Sequence, residues 1–142
     1  MSDNYPAAAM RHYRDAVILQ ENGRLDNAMC HYAFCAECFV KVLYDNVCHT
    51  GGRGLGHKIE QAYASLVDFY SFICMRDAKT EIMLGNYALP DCLFKNHPAR
   101  RYWDDITYTE EEVQAVKALM ERMMQELVMQ LIDGRIFLND EV

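Results

Sequence analysis

An all-α fold, an up-and-down antiparallel bundle of four to five helices, is predicted by three features of this chain. Three prolines and seven glycines in 142 residues are too few turn-formers for a β-rich protein. Apolar residues recur at spacings of three and four, which is the helical period. No internal repeat or low-complexity tract interrupts them. The length suits one domain over 1–142, with a core expected over about 5–134 and a loosely held tail from Arg135 onward.

The first helix is expected from about Pro6 to Glu21. Proline fits the first helical position, and Asn22-Gly23 closes the segment. Ala9, Tyr13, Ala16 and Val17 form its inner face, with Leu19 at the edge. The second runs from Leu25 or Asp26 to about Cys48. Met29, Tyr32, Ala36, Phe39, Val40 and Leu43 make one broad stripe, and few charges accompany it, which marks this helix as central. The third follows a run of glycines, from about Lys58 to Cys74, with Ile59, Ala62, Tyr63, Leu66, Val67, Tyr70 and Ile73 facing inward. A shorter fourth is expected over Ala78–Ala88, then a loop with two prolines and the tryptophan. The last helix opens with a capping box, Thr109 to Glu112. Val113, Val116, Met120, Met123, Met124, Leu127 and Leu131 follow, Val128 widens the stripe, and Gly134 ends it.

The 51% of hydrophobic residues is the composition of a folded globular chain. No apolar run approaches the ~18 residues of a membrane span, and the N-terminus lacks a basic start followed by an apolar block. The expected location is therefore the cytoplasm, with no membrane association. Six cysteines in such a chain read as small buried packing residues. A net charge of −7 repels nucleic acid at long range, so an anionic ligand requires a local basic patch. Two stretches qualify: Arg53, His57 and Lys58, and "KNHPARR" at 95–101.

The glycine run does not make a nucleotide-hydrolase loop. Gly51 and Gly56 have the right separation, but His57 stands before Lys58, Ile59 replaces the required hydroxyl, and a helix rather than a strand precedes them. The glycines read as a chain reversal, with Gly51 closing the second helix. His57 and Lys58 then fall in the first turn of the third helix, where cations oppose the helix dipole, which suggests an anionic contact. His31, Cys35 and Cys38 share a helix face but offer no complete tetrahedral set, so no metal and no cofactor is expected. Cys35 lies two turns into its helix, unlike a redox thiol. Glu37 and Lys41, at i and i+4, read as a structural ion pair or as a contact to Arg100 or Arg101. Tyr102 and Trp103 beside the arginines form a basic-aromatic cluster on which a base could stack; Asp104 and Asp105 oppose an extended phosphate chain. Met129 and Ile132 fall away from the inner stripe, on a surface that a partner would bury.

"HYAFCAECFVKVLYDN", then a glycine turn, "GHKIEQAYASL", and later "ARRYWDD" before a long amphipathic helix resemble the HEPN (higher eukaryotes and prokaryotes nucleotide-binding) family over most of the chain. The matching positions are Ala36, Glu37, Lys41, His57, Arg100 or Arg101, and Tyr102. The resemblance implies a helical bundle paired as a homodimer. In many members it implies metal-independent ribonuclease activity, carried by an arginine followed by a histidine near the last helix. Here no histidine follows Arg100 and Arg101; Arg24 and His31 have the spacing but sit on the second helix, and His97 precedes the arginines.

The reading is a dimeric HEPN-like interaction module with no assigned catalytic residue. It is expected to bind a protein partner or a nucleotide or RNA anion through Arg53, His57, Lys58, Arg100, Arg101 and Tyr102. The alternative is an endoribonuclease of a toxin or RNA-processing type, using His57, Arg53 and Arg101. By resemblance, a protein partner would be nucleotidyltransferase-like, as in toxin–antitoxin pairs.

Overall fold

The computed structural model describes residues 3–48, 52–72, 85, 87–104 and 107–136, with the backbone alone at 47, 48, 52, 53 and 69–72. The described chain is an all-α bundle: α1 (Tyr5–Glu21), α2 (Leu25–Leu43), α3 (Ile59–Phe72), the single-turn α4 (Asp91–Phe94) and α5 (Glu110–Ile132). A π-helical turn, Tyr44–Cys48, continues α2, and 3-10 turns occupy Gly52–Leu55 and Ala99–Tyr102. No strand occurs among the described residues.

α1 starts on Asn4, whose side chain accepts from the Ala7 amide, with proline in its first turn. Gly23, at φ 74°, turns the chain into α2. The two helices run antiparallel: Tyr5 meets Lys41, His12 meets Phe34, and Gln20 accepts from the Tyr32 hydroxyl at 2.7 Å. Ala9, Ala16, Ala28, Ala33 and Ala36 are fully buried, so little side-chain bulk keeps these helices apart. α5 packs on the same pair, with Tyr13 donating to Glu121 at 3.1 Å and Gln20 to Gln114 at 3.0 Å. The capping box on Thr109 and Glu112 is complete, and Gly134, at φ 73°, follows the end of α5.

α2 is the centre of the bundle, touching α1, α3, α4, α5 and both 3-10 turns. All six of its expected inward residues are buried. So are Cys30, Cys35 and Cys38, as expected of packing thiols. Two expectations change at α5 and beyond. Val128 is exposed rather than part of the inner stripe. The tail turns back, Arg135 and Ile136 donating to the Gln130 carbonyl, and Ile136 joins the core.

The described segment 89–104 holds more structure than a plain loop. Leu93 of α4 is fully buried, and so is the guanidinium-bearing side chain of Arg100. Of the fourth helix expected over Ala78–Ala88, residues 85, 87 and 88 are described and are not helical; the rest lie outside the described residues, as do Gly51, Cys74 and Ile73. Tyr87 instead lies outside any helix, its amide donating to the Tyr63 hydroxyl on α3 and its ring meeting Phe39 edge-on.

Candidate functional site

One face of α2 carries His31, Phe34, Glu37 and Lys41 at successive spacings of three, three and four, so all four project toward the same side. Three other elements close over that stripe. α1 brings His12, the turn before α3 brings His57, and the segment between α4 and the last 3-10 turn brings His97. Three of the five histidines in the chain thereby meet one phenylalanine, and His31 joins them through His12.

Glu37 is the polar centre. Its Oε1 lies 2.6 Å from His57 Nδ1 and 2.9 Å from His97 Nε2, and its Oε2 lies 3.1 Å from Lys41 Nζ. Burial pushes this carboxyl upward, but hydrogen bonds from His97, His57 and Lys41 outweigh it and hold it down at about 2. An ionised carboxylate only accepts, so both rings donate to it. That sets which nitrogen carries the proton in the neutral form of each ring: Nδ1 in His57, leaving Nε2 as its acceptor, and Nε2 in His97. The His97 side chain is 1% exposed and that of His57 is 50% exposed. One histidine is therefore a fixed internal strut and the other faces outward.

Phe34 joins the parts. His12 stacks on it at 5.4 Å, His97 meets it edge-on at 4.6 Å, and the Arg101 guanidinium lies 5.8 Å from its centroid. His12 and His31 approach through their Nδ1 atoms at 3.1 Å, so one ring must donate and the other accept. A cleft of about 250 Å³ opens beside His57 and His97, lined also by Lys58, Lys95 and Asn96. A larger groove, of about 830 Å³, lies between the end of α1 and the start of α5. Its Glu21, Glu110 and Glu111 make it unsuited to an anion.

The residues singled out from the sequence divide into three groups. His57, Lys58, Arg101 and Tyr102 are exposed, and Arg101 sits 4.8 Å from the Tyr102 ring. Arg100 turns inward: it is 2% exposed and is occupied by the carbonyls of Cys92, Leu93 and Lys95 and by the Tyr108 hydroxyl. It holds the loop rather than facing solvent. Arg53 lies in the Gly52–Leu55 turn, and its side chain lies outside those described. The helix after the glycines begins at Ile59, so His57 and Lys58 precede it. The anionic contact suggested for them exists for His57, and it is internal: the partner is Glu37.

Glu37 and Lys41 do form an ion pair, but the carboxylate reaches histidines rather than Arg100 or Arg101. Tyr102 and Trp103 are exposed, at 78% and 47%, while Arg100 and Leu93 are the residues that this segment buries against the bundle. Sequence reasoning missed His12 and Phe34 as members of a site, and read His97 only as part of the basic stretch at 95–101. A signal for part of it was present, since a His-Phe-Glu-Lys stripe on a central, otherwise apolar helix needs polar partners from elsewhere.

This network makes stability pH-dependent. Burial lowers the pKa of His97 and of His12 below the ordinary 6.5. The unfolded chain then binds protons before the folded one as pH falls below 6.5, so stability drops there. The depressed Glu37 adds a second loss below its ordinary 4.5, complete near 2. Urea unfolding midpoints measured from pH 8 to 3 are expected to fall in two stages. A His97→Gln change is expected to flatten the first.

Comparison with models of known protein families, with curated proteins and with solved structures finds no match.

Proposed function

We propose that this chain is a HEPN-like interaction module that works as a homodimer and binds a phosphate-bearing ligand, a nucleotide or short RNA, at the Phe34–His57–Arg101 face. The observation that carries the reading is the pairing of Arg101 with exposed aromatic surface beside a half-exposed histidine. Arg101, Lys58 and Lys95 are exposed around it, on a chain whose net charge is −7. Guanidinium and ammonium groups donate to phosphate oxygens, and Tyr102 offers a ring face to a base. Lys41 neutralises Glu37 from within, so the buried carboxylate repels an anion little. The exposed Asp104 limits the ligand to something short. The homodimer is supported by the family resemblance and by exposed Val128, Met129 and Ile132 along one side of α5. The resemblance alone supports a nucleotidyltransferase-like partner.

Titration with a nucleoside monophosphate and with a short RNA tests this. Arg101→Ala is expected to weaken binding about tenfold, which is about 1.4 kcal/mol, and to reduce its salt dependence. Equal affinity in wild type and variant would sink the reading.

A second reading, a metal-independent ribonuclease, is favoured by one observation: Glu37 engages Nδ1 of a half-exposed His57 ring and leaves its Nε2 outside that contact, as a proton-transfer residue requires. It requires RNA turnover in the presence of a chelator, lost in His57→Ala.

A further inference from the structure

The geometry points to a divalent transition-metal site built from Glu37, His57 and His97, with zinc or cobalt as the fitting ions. It does not rest on the anion-binding reading and uses the inner side of the same cluster. One ligand atom from each of the three lies within 4.8 Å of the others, and Glu37 Oε1 is in contact with both His57 Nδ1 and His97 Nε2. Two imidazoles and one carboxylate are a donor set that zinc accepts, with further positions open. Tetrahedral bonds of about 2.1 Å place ligand atoms about 3.4 Å apart. The present 2.6 and 2.9 Å therefore need to open by about 0.8 and about 0.5 Å. The half-exposed His57 ring can supply the larger opening, and the smaller one at the His97 contact needs a slight shift of His97 or Glu37 themselves.

The three ligands come from α2, from the turn before α3 and from the loop after α4. An ion would fasten the same three elements that hydrogen bonds fasten now. Each ligating nitrogen gives its lone pair to the ion, and the proton it carried moves to the other nitrogen of its ring. For His57 that is Nε2, on a side chain that is half-exposed. For His97 it is Nδ1, which is buried and has no partner among the described residues. A ligand histidine without an outer partner binds metal about 10–100-fold less tightly, so affinity is expected to fall short of a closed structural zinc site.

Lys41 decides the type of ion. It holds Oε2, so the carboxylate ligates through Oε1 alone, and its ammonium cancels the carboxylate charge. A cation held by charge alone gains little there, which disfavours magnesium and calcium. An ion that bonds imidazole nitrogen remains favourable.

Titrating the chelator-treated full chain with cobalt, followed by visible absorption, tests the site. One equivalent is expected to bind with bands of nitrogen and oxygen ligation, displaced by zinc and not by excess magnesium or calcium. His57→Ala, at a half-exposed position, is expected to keep its helical circular-dichroism spectrum and bind at least tenfold more weakly; Glu37→Gln is expected to do the same to affinity. Absence of binding, an intense thiolate-to-cobalt band, or unchanged affinity in His57→Ala would each overturn the proposal. Phosphate titration of the metal-free chain separates its failure from that of the anion site.

Discussion

Arg100→Ala is expected to destabilise the fold by about 4 kcal/mol and to abolish phosphate binding at a face the residue does not touch. The guanidinium satisfies the carbonyls of Cys92, Leu93 and Lys95 and the hydroxyl of Tyr108. Each buried acceptor left without a partner costs about 1–3 kcal/mol, and the vacated volume of a fully buried side chain adds to that. A domain stable by only about 5–15 kcal/mol would lose a large share. The binding effect follows from position. Arg100 ties residues 92–95 to the 3-10 turn, and His97 and Arg101 are carried on that segment. Urea unfolding measures the first effect, and phosphate titration under conditions where the variant remains folded measures the second. Arg100→Lys keeps the charge but not the planar fork and is expected to recover only part of either. A variant as stable as the wild type would show that the carbonyl cage contributes nothing.

Glu37→Gln is expected to cost about 3 kcal/mol, the scale for breaking a buried ion pair from one side. The carboxylate accepts from three side chains on three elements. A glutamine of the same shape has one good acceptor and turns an NH2 group toward a donor. Lys41 is then a buried ammonium without its counter-charge. Because the interaction is shared, the loss in Glu37→Gln and the loss in His57→Ala are expected to be non-additive by about 1 kcal/mol in a double-mutant cycle. Strict additivity would mean that the 2.6 Å contact is energetically idle. The same substitution also removes the second, more acidic stage of the stability profile, because the group with the depressed pKa is gone.

Both residues illustrate how far the sequence could be read. Glu37 and Lys41 stood out as charges on an apolar helix, and their pairing was open to inference from i, i+4 spacing alone. That Glu37 also collects His57 and His97, twenty and sixty residues away, was not. Arg100 and Arg101 are adjacent and identical in type, and nothing local says which turns inward. The difference arises because Leu93 and Arg100 share the underside of one short loop, leaving Arg101 on the side of Phe34. The expected inner stripe of α5 holds from Val113 to Leu127 and changes only at Val128, a residue at the stripe's margin that is exposed among the described residues.

The amino-acid order by itself determined the class of fold, the central place of α2, the burial of its thiols and the capped start of α5. Each of those depends on apolar period or end-capping, which are set by residues a few positions apart. Only the tertiary structure decided that His12, Phe34, Glu37, His57 and His97 meet, and that Arg100 is a strut while Arg101 is exposed. Which polar groups converge depends on how separate helices and loops pack against one another. The helical period specifies that a face is buried, but not which side chains will lie opposite it.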